Sequence, residues 1–434
     1  MKKIISILLV GFILIWSYHL FIDSLFNMEE VKEEPYKGVI KIWDSPKISI
    51  ASGSRYGWIQ SKIRAFEKKN PGVYIEFVPM DEDNLYNDFE KNLSSGDLPN
   101  ILPINNYFNN FDRLEPLDDY FEKQELEEFK YQALRGVTYE KQMMAVPIGM
   151  TTYCMYLNLD KFHEAGVSPP TDNNWTYEEF IEALKRLNID EDGDEIIDSY
   201  GFMSYIGNRD YSIWGIILSD GAEFINPKRG EYAFYGEKAI KGLEKAIDLK
   251  DKHRVAPDYF GMISKKESWE LFYKEKKIAV YPTDSRKVNF LDNLYNNGEG
   301  FNFDIVNYPM GGKKIPVILS DGLVSYGVVK DDNIKRMEMC VKFLKFLTNT
   351  QNQKSLEDIG IFTVKRGIKD MYMENHKMKK IEETLSYTYY IPFMKNWKEI
   401  DNILYEEIRS GLLLEKPSYE VIEEAKIRIH RLKE

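Results

Sequence analysis

The densest run of chemistry-bearing side chains is Asp190-Glu191-Asp192-Gly193-Asp194-Glu195-Ile196-Ile197-Asp198. Its carboxylates fall at positions 1, 3, 5 and 9, and the Ile196 carbonyl falls at position 7, the ligand spacing of a calcium loop. Two residues depart from that pattern. Glu195 stands where glycine is expected, and Gly201 where a closing glutamate is expected. Asp190, Asp192, Asp194, Ile196 and Asp198 are therefore candidate ligands of a structural calcium, with a plain acidic turn as the alternative. A second grouping is aromatic: Tyr211 and Trp214, three residues apart, share one face if the segment is helical. Covalent catalysis has no comparable foothold, because Gly-x-Ser-x-Gly, His-Glu-x-x-His and phosphate-loop motifs are missing. The five histidines include no His-x-x-x-His pair. Two cysteines, Cys154 and Cys340, exclude a disulfide framework or a cysteine-built metal site and read as reduced, buried small hydrophobes.

Apolar periodicity supplies the elements that must position these groups. Val39 to Asp44 alternates as a strand, and Ile59, Ile63 and Phe66 then mark a helix that Asn70-Pro71-Gly72 stops. Val73 to Val78 alternates again. A helix carrying Leu85, Phe89 and Leu93 breaks at Ser94-Ser95-Gly96 before the apolar Leu98 to Ile104. Strand–helix–strand–helix–strand is the pattern of an α/β sheet with crossover connections, whose ligands sit beyond the strand C-termini. A second α/β block starts near Met144, with an apolar run from Tyr153 to Leu157. In it Thr176 and Glu179 have capping-box spacing ahead of Phe180, Leu184 and Leu187. Further helices are expected over Tyr235–Lys252, Ser268–Lys274 and Ile334–Leu347, and buried strands over Lys277–Tyr281 and Val317–Val329. No linker separates the blocks, so the chain is expected to cross between them more than once.

The chain has 434 residues, enough for two or three domains, with 43% apolar and 29% charged residues. Its net charge of −12 argues against nucleic acid as the main partner, since that backbone demands a basic surface. The N-terminus carries Lys2 and Lys3 ahead of an apolar stretch from Ile4 to Ile22, and Glu29, Glu30, Glu33 and Glu34 follow. Those 19 residues are enough to span about 30 Å of hydrocarbon as a helix, with the N-terminus inside. Residues 1–27 therefore read as a signal-anchor or signal peptide and 28–37 as a tether, and the remainder is expected outside the membrane, N-terminally anchored or secreted if the signal is cleaved.

Several phrases, in order, resemble extracellular solute-binding proteins of ABC importers, in the sugar-binding family that includes maltose-binding protein. They are Ile40-Lys41-Ile42-Trp43-Asp44, Phe66-Glu67-Lys68-Lys69-Asn70-Pro71-Gly72 and Ser95-Gly96-Asp97-Leu98-Pro99-Asn100-Ile101. Ala145-Val146-Pro147-Ile148, Tyr156-Leu157-Asn158-Leu159-Asp160-Lys161-Phe162 and Trp175-Thr176-Tyr177-Glu178-Glu179-Phe180 follow. Tyr200-Gly201-Phe202 after Asp192-Gly193-Asp194, and Phe272-Tyr273-Lys274-Glu275-Lys276-Lys277-Ile278-Ala279-Val280, complete the set. The resemblance implies a two-lobed, periplasmic-binding-protein-like fold of type II, α/β throughout, with hinge crossovers near Gly149 and Ser320–Leu323. Lobe 1 would comprise 38–149 and 322–370, and lobe 2 would comprise 150–321 and 371–434. It further implies a monomeric, non-catalytic protein that captures a carbohydrate, such as an oligosaccharide, between the lobes and docks closed on importer permease subunits. No cofactor beyond the candidate calcium is implied. An accessory role beside a membrane-bound histidine kinase is the alternative.

Sugars offer apolar C–H faces and many hydroxyls, so a site for them combines aromatic faces with carboxylates, amides or arginines. By motif position the resemblance assigns ligand contact to Asp44, Asn105, Asn106, Tyr107, Thr151, Tyr211, Trp214, Asp284, Arg286, Asp321 and Trp397. Asp44 has an exposed loop acid as its alternative reading, and Trp214 and Trp397 have core packing. Where the family often places a tryptophan, this chain has Thr283-Asp284-Ser285-Arg286; Asp284 and Arg286 either contact ligand or pair with each other.

Overall fold

The computed structural model describes residues 11–19, 36–50, 52–190, 192–226 and 230–432. It divides into Met1–Lys37 and Gly38–Glu434. In the first unit residues 11–19 are helical, and most of the expected membrane span and tether lies outside the described residues. No described helix is long and apolar enough to cross a membrane.

Strands in the second unit, in chain order, are β1 (Gly38–Asp44), β2 (Val73–Pro79), β3 (Ile101–Pro103), β4 (Thr138–Tyr139), β5 (Gln142–Met143), β6 (Val146–Met150) and β7 (Tyr153–Asn158). They continue with β8 (Tyr200–Phe202), β9 (Ile278–Asp284), β10 (Phe303–Val306), β11 (Ile318–Ser320), β12 (Leu323–Val328), β13 (Phe362–Thr363) and β14 (Thr388–Tyr390). One sheet has the order β13-β6-β12-β3-β1-β2, a second β10-β7-β9-β8. Ile40 and Ile42 of β1 are fully buried, and the helix Gly57–Lys69 turns Trp58, Ile59, Ile63 and Phe66 into the same core. Phe66 meets Phe343 of the helix Ile334–Leu347 at 5.1 Å. Each such ring contributes about 1.5–3 kcal/mol through the apolar surface it removes from water. In the second sheet all of β7 is buried, and the helix Tyr177–Arg186 starts on the expected Thr176–Glu179 capping box. Its apolar face, with Phe180 and Leu184, packs against β8.

The chain passes from the first sheet to the second over Thr151–Thr152. Asp321–Gly322 returns it to the first sheet from β11, which pairs with β14 in a separate two-stranded sheet. It leaves the first sheet again after β13, and the helix His376–Thr384 packs on β10. The first two crossings are tied together. Thr151 N–H donates to the Gly322 carbonyl at 2.7 Å, and the Tyr390 hydroxyl donates to the Thr151 carbonyl at 2.8 Å. A Cβ at position 322 would sit 2.2 Å from Thr151 Oγ1, so only glycine permits this approach. The single strand expected over Val317–Val329 is thus two strands, because Asp321–Gly322 turns the chain between sheets.

Candidate functional site

Two polar clusters lie where the loops of the two sheets meet. The first is built on Asp401, in the helix Trp397–Leu412, whose apolar stripe of Trp397, Ile400, Leu404 and Ile408 carries this acid on its buried side. Asp401 is 5% exposed and accepts three hydrogen bonds. Tyr107 O–H donates to Oδ2, Arg209 N–H donates to Oδ2 at 2.9 Å, and Tyr211 O–H donates to Oδ1 at 3.0 Å. Burial pushes the Asp401 carboxyl up, although these donors pull it back. Burial and the facing carboxylate raise the Tyr107 and Tyr211 phenols further, so both remain proton donors. Trp397 Nε1–H donates to the Tyr211 oxygen at 3.2 Å and completes the chain.

Arg209 joins elements tied to different sheets. Its guanidinium stacks over the Tyr107 ring at 4.7 Å and reaches Asp83 at 3.2 Å and Glu82 at 3.8 Å, on the loop after β2. Its backbone has φ +59, a strained conformation for a non-glycine residue, held by the Arg209 N–H bond to Asp401.

The second cluster is at the C-terminal end of β9. Asp284 Oδ1 accepts from Arg286 N–H at 3.0 Å and Nε–H at 2.9 Å, and Lys265 pairs with Asp210 at 2.8 Å. Burial pushes the Asp284 carboxyl up, but the charges of Arg286 and Lys287 and the Arg286 hydrogen bonds outweigh it and hold it low. The acids are covered, with side chains 5% (Asp210) and 18% (Asp284) exposed, whereas those of Lys265 and Arg286 are 57% and 62% exposed. Asp321 is half-buried at the return crossing. Burial and the nearby Asp401 charge push its carboxyl up to about 7. A cavity of about 10 Å³ beside it is lined by Asn105, Asn106 and Tyr390, and one of about 20 Å³ lies against Asp210, Trp214 and Asp401.

The structure brings Tyr107, Tyr211, Trp397 and Asp321 together around Asp401, with Asn105 and Asn106 adjoining. Asn105 Oδ1 accepts from Tyr107 N–H at 2.9 Å, and Asn106 Nδ2 donates to the Ile391 carbonyl at 3.2 Å. Several expectations need correction. Trp214 is 4% exposed and packs edge-on against Phe224 and Phe234 at 4.6 and 4.9 Å, so it offers no free face for stacking. Trp397 is fully buried, between Tyr211 and Phe224, and acts on the site through its N–H instead. Asp44 is no exposed loop acid: it is fully buried, its Oδ1 bound by Lys47 Nζ at 2.6 Å and by Ser45 N–H at 2.9 Å. Its Oδ2 and the Tyr326 hydroxyl are buried without hydrogen-bond partners among the described residues. Thr151 is buried at the crossing, and Asp284 and Arg286 do pair with each other. Sequence reasoning missed Asp401, Arg209, Asp210, Lys265 and Lys287. For Asp401 a signal existed, an acid at i+4 of the stripe begun by Trp397.

The pattern that defines bacterial extracellular solute-binding proteins matches residues 51–354. The chain belongs to that family. As its description says, the family acts outside the cytoplasm, and its members are binding proteins. A candidate binding protein of Brucella abortus is 23% identical over 359 residues, covering 80% of this solute-binding protein and 82% of the relative. Among solved structures, a substrate-binding protein of Listeria monocytogenes in complex with cycloalternan shares the fold at TM-score 0.70 and 18% identity. That match covers 92% of this chain and 99% of the other. The cyclic alpha-maltosyl-1,6-maltose binding protein of Arthrobacter globiformis superposes at TM-score 0.75 and 14% identity, over 91% and 98% of the two chains. The sugar-binding protein MalE of Xanthomonas citri gives TM-score 0.73 at 15% identity, over 90% and 96%. The fold is the two-lobed, type II arrangement of these proteins, with hinge crossovers.

In this solute-binding protein the carboxylates of Asp190, Asp192 and Asp194 have oxygens within 4.8 Å of one another, a group that does not include Asp198. Gly193 and Glu195 N–H groups donate to Asp190 at 2.8 and 2.9 Å, and Ile196 N–H donates to Asp194 at 2.8 Å.

Proposed function

We propose that this is the solute-binding component of an ABC importer, holding an oligosaccharide in the cleft between its lobes and leaving it chemically unchanged. The observation that carries the reading is the polar seam at the crossings, where Tyr107, Arg209, Asp321 and Asp401 converge from both sheets. Hydroxyl-rich ligands suit such a seam, because each hydroxyl both donates and accepts. Family membership supports solute capture, and the saccharides named for the fold's relatives support the ligand class. In this reading the lobes comprise 38–149 with 322–370, and 150–321 with 371–434. Asn105, Asn106, Tyr107 and Asp321 line one wall, Asp284 and Arg286 the other, and Thr151 the hinge, with the buried Tyr211 bracing the site through Asp401. The N-terminal apolar segment holds a monomer at the outer face of the cytoplasmic membrane. A cation entering the loop of Asp190, Asp192 and Asp194 would brace that turn and touch no ligand.

A thermal-shift screen of malto- and other oligosaccharides tests this, since a ligand that binds only the folded form raises its melting temperature. At least one saccharide is expected to stabilise the protein, with binding weakened in Tyr211→Ala. A flat response across the panel overturns the carbohydrate reading.

A further inference from the structure

The cations at the end of β9 are arranged against local preference. The helix Lys287–Asn296 has Arg286 as its N-cap and Lys287 as its first residue, with no acid in its first turn. A helix N-terminus carries partial positive charge and favours anions, so two cations there oppose the dipole. Lys265 opens the helix Lys265–Tyr273, whose N-terminus Ser264 and Glu267 already cap, and its charge acts on Lys287. Lys287 lies over the Trp269 ring at 5.4 Å. Burial, and then repulsion from Arg286 and Lys265, depress the Lys287 ammonium, with Asp284 and Asp210 opposing the depression. The two carboxylates of the cluster lie beneath the cations and are each already paired, as described above. Arg286 spends Nε on Asp284, which leaves the outer edge of an exposed guanidinium pointing away from its partner. Glu82 and Asp321 act on this group only at longer range.

From this geometry we infer that Lys265, Arg286 and Lys287 form a subsite for an anionic substituent, a carboxylate or sulfate, on the bound saccharide. The inference rests on the proposed saccharide function and narrows its ligand class. Three cations beside the uncapped N-terminus of the helix Lys287–Asn296 satisfy an anion that is forked or tetrahedral, with arginine supplying the paired donors. The Trp269 face behind Lys287 holds the ammonium in position without neutralising it. A neutral sugar leaves the mutual repulsion of the three cations in place, and an anionic one relieves it.

Calorimetric titration of the full chain with tetragalacturonate, its methyl ester, maltotetraose 6-sulfate and maltotetraose tests the subsite. At least one acidic member is expected to bind about tenfold or more tightly than its neutral counterpart, a difference that added salt erodes. Preference within the carboxylate pair or the sulfate pair identifies the anion. In Lys287→Gln and Arg286→Gln, checked for an unchanged melting transition, the acid-to-neutral ratio is expected to fall towards one. Neutral members binding as well as the acids overturn the anion subsite and leave the saccharide function standing, as does a ratio that survives in Lys287→Gln. Binding of none of the four, in a protein that also shows no response in the wider sugar screen, overturns both.

Discussion

The two polar clusters of the cleft contain similar residues and put them to opposite use. Around Asp401 a buried carboxylate is surrounded by donors until both oxygens are satisfied. At the end of β9 the acids are covered and their cations exposed, with Lys287 held among like charges. A buried polar network that closes on itself fixes geometry, because any rearrangement strands a desolvated group. An accessible cluster with unspent donors gains most from a partner that arrives from solution. The first therefore sets how the loops meet, and the second what they select.

That contrast breaks first at Asp401. Asp401→Ala leaves two phenols and the Arg209 N–H without their acceptor, and a loss of about 3–5 kcal/mol is expected from disrupting a buried network of this kind. Urea unfolding checks it; a loss under about 1 kcal/mol would show that the cluster is dispensable. Tyr211→Phe is the milder probe, keeping the ring and removing one donor to Asp401 and the acceptor for Trp397 Nε1–H. About 1–2 kcal/mol is expected, read in the same unfolding curves.

Asp321 lies between the clusters and responds to pH. Its carboxyl is raised to about 7 in the fold, against about 3.9 when unfolded. The folded form therefore binds the extra proton, and stability falls as pH rises through that window. The cost is fully present above pH 7 and absent below about pH 4. Asp321→Asn removes it, so the variant is expected to melt above the parent at pH 8 and with it near pH 4. The gain is on the order of 1 kcal/mol once solvent screening at this half-buried site is allowed for. Equal melting temperatures at pH 8 would show that the fold does not feel this carboxylate.

How much of this the amino-acid order reveals depends on the range of the interactions. The strand at Val39–Asp44, the helix carrying Ile59, Ile63 and Phe66, and the Thr176–Glu179 cap are written in residues a few positions apart, and each forms as expected. The turn at Asp321–Gly322 follows only from the family resemblance, which puts a crossover near Ser320–Leu323; apolar patterning alone reads Val317 to Val329 as one strand and passes over the Ser320-Asp321-Gly322 inside it. The aromatic assignments failed for a related reason. Trp214 and Trp397 occupy sequence positions to which the resemblance assigns ligand contact, but whether an indole is lining or core depends on Phe224 and Phe234, which only the tertiary fold delivers. Asp401 was within reach, since an acid on an apolar stripe must find donors somewhere. Its donors, Tyr107 and Tyr211, lie 294 and 190 residues away in sequence, so their identity was not.

The smallest expected effect on stability separates the clusters most sharply. If Lys287 were there to hold the fold, Lys287→Gln would destabilise it. Its ammonium lies at a helix N-terminus beside two neighbouring cations, and its attraction to Asp284 and its contact with the Trp269 ring are set against both. Removing the charge relieves the dipole and the repulsion and forfeits the attraction to Asp284, so the melting temperature is expected to stay level, within about 0.5 kcal/mol in free energy. The same change is expected to weaken an acidic saccharide. A substitution that leaves the fold level while loosening the ligand identifies a side chain retained for recognition, whereas a clear loss of stability in thermal unfolding would return Lys287 to the scaffold.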